Sequence, residues 1–131
     1  MSGGRFDYRE FHIEDIAEQI EQEVIISGKP IPKQRWDYSL RQEYEETGKM
    51  PTNYAYPESV LRRMEEAVYA LKRASIYSHR VDYLLSGDDG EESFERRLSD
   101  ELAELDAKSK MGDNGVMYYP IDRSQDPYDD D

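Results

Sequence analysis

The sequence predicts an all-α fold, a small bundle of three to four helices around a long central helix at about 57–86, with an acidic C-terminal helix and a flexible tail. Three observations carry this. Val60, Met64, Ala67, Leu71, Ala74, Ser78, Val81 and Leu85 alternate four and three residues apart, which draws one apolar seam along a helix. Ile13, Ile16, Ala17, Ile20 and Val24 recur at helical spacing with acids between them. Phe94, Leu98, Leu102 and Leu105 do the same after the turn-forming run Gly87-Asp88-Asp89-Gly90. Residues 1–107 therefore read as a helical domain and 108–131 as an extended, partly disordered acidic tail.

The elements follow in chain order. Residues 1–11 join a flexible Ser2-Gly3-Gly4 to Phe6, Tyr8 and Phe11, rings expected to dock in cis or on a neighbour. The first helix carries Glu14 and Asp15 where its dipole favours negative charge, and Ser27-Gly28 with Pro30 supplies the stop. Pro30-Ile31-Pro32 enforces an extended connection. A second helix is expected over residues 35–46, with Trp36, Leu40 and Tyr44 as its stripe and Gly48 as its end; residues 50–56 form a loop against the core. Pro57 suits the first turn of the central helix. Ala67, Ala74 and Ser78 allow another helix to approach closely, and Leu61, Val68 and Tyr77 widen the seam. A second row, Tyr69, Ile76 and Tyr83, needs cover on another face, so self-association or partner binding is expected. Asp89, three residues before Glu92, resembles an N-cap with its capping partner. The short turn makes the last helix antiparallel to the central one. Residues 116–119 suggest a short extended piece, and 125–131 a solvated end.

Composition narrows the function. Thirty Asp and Glu against 17 Lys and Arg give a net charge of -13, and the excess is local: residues 51–86 hold 5 basic and 4 acidic groups, residues 87–131 hold 5 and 15. Such a chain is repelled by nucleic-acid phosphates and anionic lipid, so neither direct nucleic-acid binding nor membrane binding is expected. Leu, Ile, Val and Phe number only 24 of 131, and the 11 Tyr and single Trp must supply much of the burial. Without Cys there is no thiol nucleophile, disulfide or thiolate metal site. No apolar run approaches a membrane span, and the opening residues lack a hydrophobic signal core, which points to the cytoplasm.

Candidate sites come from charge placement. Glu91, Glu92, Glu95, Glu101 and Glu104, with Asp100 and Asp106, could imitate a row of phosphates and occupy a basic cleft on a partner. The acids around the 87–90 turn do not fit a calcium-binding loop, and they suit a helix start. Arg73 and Arg80 with Tyr69 and Tyr77 offer an alternative pocket for an anionic nucleotide; the same bases could instead neutralise the neighbouring acidic helices. His79 with Asp82 could form an acid-base pair, with no nucleophile at a diagnostic spacing.

Two resemblances add to this. Glu18 with Glu21 and Glu43 with Glu46 resemble the paired metal-binding acids of the all-α MazG-type nucleotide pyrophosphohydrolases, although Glu46 stands where that pattern has Asp. This resemblance implies a Mg²⁺-dependent hydrolase as an alternative function. The opening Met1-Ser2-Gly3-Gly4-Arg5-Phe6-Asp7-Tyr8 and the block Leu84-Leu85-Ser86-Gly87-Asp88-Asp89-Gly90-Glu91-Glu92-Ser93-Phe94 are similar to small proteins of phages and bacterial mobile elements. That likeness implies a phage-derived inhibitor of a host defence or nucleic-acid-processing protein, acting in the host cytoplasm. The leading expectation is a non-catalytic protein-binding module without cofactor, whose partner presents a basic surface.

Overall fold

The structure is a computed structural model that describes residues 10–128. The expected docking of Phe6 and Tyr8, the Gly3-Gly4 segment, the Phe11 side chain and the last three aspartates lie outside that description. Four helices run in order: α1 (Glu10–Ile26), α2 (Tyr38–Thr47), α3 (Glu58–Leu85) and α4 (Glu91–Ala107). Two short strands, β1 (Lys110–Met111) and β2 (Met117–Tyr118), pair antiparallel with Lys110 opposite Tyr118. The all-α class and the long central helix stand as the sequence predicts. At 28 residues α3 is the longest element. It spans about 42 Å at roughly 1.5 Å per residue. Helices α1 and α4 and strand β2 all pack on it.

The face that α3 buries is centred on the predicted widening at Leu61 and Val68 and not on the seam itself. Leu61, Val68, Ser75 and Asp82, spaced seven apart, form the buried row, one residue later than Val60, Ala67, Ala74 and Val81. Val60 and Leu85, at the two ends of the predicted seam, are 39% and 47% exposed. Because α1 and α4 both rest on α3, the sector they share is buried whether or not it is the most apolar one. Across from this row, α1 buries Ala17, Val24 and Ile25, while Ile16 stays half exposed. Polar side chains enter the interior along the whole of α3, Glu66 in its first half and Ser75, Arg80 and Asp82 in its second. Tyr69, Ile76 and Tyr83 are half-buried within the chain, and the Tyr69 hydroxyl donates to Asp106 of α4 at 2.6 Å. Cover for the row thus comes at least in part from α4.

Helix α2 begins later than predicted. Asp37 caps it, accepting from the Leu40 amide at 2.8 Å, and a 3₁₀ turn at Lys33–Arg35 precedes it. Trp36 falls between the two, buried against Tyr44 with ring centroids 5.0 Å apart, and its indole N–H donates to the Ile31 carbonyl. Ahead of it, residues 28–31 run beside 51–54, with Gly28 donating to the Tyr54 carbonyl and Asn53 to that of Lys29. Gly28 is required there: its φ is +73°, and a Cβ would sit 3.2 Å from that of Ala55.

After α4 the chain returns along the first half of α3. The Tyr119 amide donates to the Glu65 carbonyl, Ile121 donates to the Glu65 carboxylate, and Arg123 makes a two-pronged pair with Glu58 at 2.9 and 3.0 Å. Asn114 donates to Glu66 at 3.0 Å, and the Arg62 guanidinium lies 3.7 Å from the Tyr118 ring centroid. The Arg123 hydrogen bond lowers the pKa of Glu58, and those of Asn114 and Arg63 lower that of Glu66. These contacts continue to Tyr128, whose hydroxyl accepts from Asn53 and whose ring faces Arg35, further along the chain than the composition suggests.

Candidate functional site

The turn between α3 and α4 builds a buried ion network. Gly87 adopts φ +82°, and the amides of Asp88 and Asp89 both donate to the Tyr83 carbonyl. This folding-back aims Asp89 inward, so it does not cap α4: the N-cap residue is Gly90, with no side-chain cap. Instead the two Asp89 oxygens take Arg80 at 3.1 Å and Arg97 at 3.2 Å. Arg80 also places its Nε 3.4 Å from Glu101, an ion pair without hydrogen-bond geometry. The side chains of Arg80 and Asp89 are only 7% and 3% exposed. Sequence reading missed this network because Arg80 and Asp89 meet only through the turn. Their signal was an oppositely charged pair nine residues apart across it.

The five candidate glutamates on α4 do not form one row. At roughly 100° per residue, Glu91, Glu92 and Glu95 point on average about 160° away from Glu101 and Glu104. The first three are exposed, and among the described residues none has an ion-pair partner. They rim a shallow hollow whose apolar members are Leu84 and Phe94. Glu101 faces inward to Arg80, and Glu104 pairs with Lys108 at 3.6 Å.

That inner side of α4 is one wall of a cleft of about 380 Å³. The opposite wall is α1, which contributes Glu14 and Glu18, and α3 is the floor with Ser75 and Ile76. Lys72, on the rim, lies 3.7 Å from Glu21 and 4.7 Å from the centre of the Tyr119 ring. His79 also borders the cleft and meets Tyr83 edge-on, centroids 4.6 Å apart.

The remaining candidates are dispersed. Arg80 is enclosed by its carboxylates, Tyr69 is engaged with Asp106, and Arg73 stacks on Tyr77 at 5.0 Å in solvent. Burial, with the Asp106 bond second, raises the pKa of Tyr69, so it acts as a neutral donor there. Glu18 and Glu21 lie on α1 and Glu43 and Glu46 on α2. Among the described residues no three His, Asp or Glu side chains approach closely enough to hold a metal ion. His79 and Asp82 sit one turn apart on α3. Among the described residues no helix is long and apolar enough to cross a membrane. No protein-family model, curated protein or solved structure matches the chain.

Proposed function

We propose that this chain is a non-catalytic protein-binding module whose partner presents a basic surface to the first half of α4. The observation that carries this reading is the hollow at the α3–α4 corner, where exposed Glu91, Glu92 and Glu95, with Arg96 and Ser99, surround half-buried Leu84 and Phe94 and leave the rim net negative. An apolar centre within a charged rim is the composition of a recognition patch, in which the rim steers and orients while the centre supplies burial. The local charge lets the patch draw a cationic surface despite solvent screening. Glu101 faces the buried Arg80, and Glu104, although exposed, stands beside Lys108 on the other side of α4, so the contact set narrows from five glutamates to three. Inhibition of a host defence or nucleic-acid-processing protein, in a phage context, is the biological form this reading takes. It rests on the likeness of the Leu84 to Phe94 block.

Capture from bacterial lysate with quantitative mass spectrometry tests it. A protein with a basic surface should be recovered by the native chain and lost with Glu91→Lys, Glu92→Lys and Glu95→Lys combined. Recovery of the same proteins by both, at low and high salt, would overturn the assignment.

A further inference from the structure

The cleft between α1 and α4 carries a separate ligand chemistry. Its two walls are both acidic: Glu14 and Glu18 stand on α1 at helical spacing, and Glu101 and Glu104 stand on α4. Between them Ala17, Ile76 and Leu105 form an apolar strip, flanked on α3 by Lys72, Ser75 and His79. Its lysines are already matched to carboxylates, Lys72 to Glu21 and Lys108 to Glu104. Glu14 and Glu18 have no ion-pair partner among the described residues. An independent feature marks the floor. Ser75 is 4% exposed, borders the cleft, and its hydroxyl makes no hydrogen bond among the described residues. That hydroxyl opens onto the cleft and keeps its donor and acceptor capacity for whatever occupies it.

We propose that this cleft binds a small aliphatic diamine, with one ammonium against the carboxylates of α1, the other against those of α4, and the methylene chain over Ile76 and Leu105. A volume of about 380 Å³ lies in the range of small-molecule sites, roughly 300–1,000 Å³. Each carboxylate has two oxygens, so Glu101 and Glu104 keep acceptor capacity beside Arg80 and Lys108. The Ser75 hydroxyl takes up a hydrogen bond from the ligand or from a water it carries. An inorganic cation would use the carboxylates and leave the apolar strip unused, which separates the two chemistries. The protein-binding patch lies on the other side of α4, so the two proposals stand or fall separately.

Calorimetric titration of the full chain with 1,4-diaminobutane tests the proposal, alongside butylamine and Mg²⁺. Saturable binding with one ligand per chain is expected, at least tenfold tighter than for butylamine. Amide NMR shifts should centre on Ser75 and Ile76. Glu14→Gln with Glu18→Gln should weaken it at least tenfold. The charge-matched pair Glu43→Gln with Glu46→Gln, on α2, should leave it unchanged. Absence of saturable binding, equal loss in both double variants, or equal affinity for Mg²⁺ with the same shifts would overturn it, the last two by showing that only diffuse negative charge is being read.

Discussion

Glu91 and Glu101 lie ten residues apart on one helix and meet opposite surroundings. The first is at an exposed helix start, beside an apolar hollow and without a counter-ion among the described residues. The second faces Arg80, which is itself held by a buried aspartate. Nothing in the side chains distinguishes them; helical phase and the turn that sets α4 against α3 do. The difference teaches that a run of carboxylates is not one surface. Among the described residues the outer end carries no internal ion pair, and at the inner end Glu101 is part of what keeps α3 and α4 together.

The most disruptive way to break this division is to remove Asp89. Asp89→Ala leaves the buried Arg80 without its closest partner, and chemical denaturation should show a loss of about 3–5 kcal/mol, the usual cost of orphaning a buried charge. At the outer end, Glu91→Gln with Glu92→Gln and Glu95→Gln should change stability by no more than about 0.5 kcal/mol, because no native ion pair is broken. A loss comparable to that of Asp89→Ala would erase the distinction between the two ends.

Acid sharpens the contrast from a third region, residues 108–128 on α3. The pKa values of Glu58, Glu66 and Asp122 are lowered, by Arg123, by Asn114 with Arg63, and by Ser124. A carboxyl whose folded pKa is depressed contributes stability that is present above its unfolded pKa and lost as pH falls through the folded value. The segment should therefore loosen on acidification below the ordinary carboxylate range, read as movement of the Tyr118 and Tyr119 ring signals toward random-coil shifts. Glu58→Gln with Glu66→Gln should remove most of that pH dependence. Unchanged ring shifts down to the lowest pH at which the helices persist would contradict the assignment.

Helix number, approximate bounds and the antiparallel α3–α4 pair were legible in the sequence because spacing and turn residues are local signals. Which row of the broad apolar face of α3 turns furthest inward was not. The seam through Val60, Ala67, Ala74 and Val81 is a good apolar row, but burial is decided by where two other helices rest, and they rest over Leu61, Val68 and Ser75. Asp89 read as a cap because its spacing to Glu92 is right, yet Arg80 and Arg97 claim it. Trp36 read as helical because it is four residues before Leu40, but Asp37 starts the helix after it. For the site, the acids themselves were visible. Their sorting into an outer patch and an inner cleft wall depended on tertiary contacts.

The most direct measurement compares two variants of equal charge against the captured partner: Glu91→Gln with Glu95→Gln, and Glu101→Gln with Glu104→Gln. Titration of the folded proteins should show the outer pair weakening affinity at least tenfold and flattening its salt dependence, with the inner pair within about twofold of the native chain. Equal weakening by both pairs, or a larger effect of the inner one, would contradict the account, since net charge or the inner face would then govern recognition.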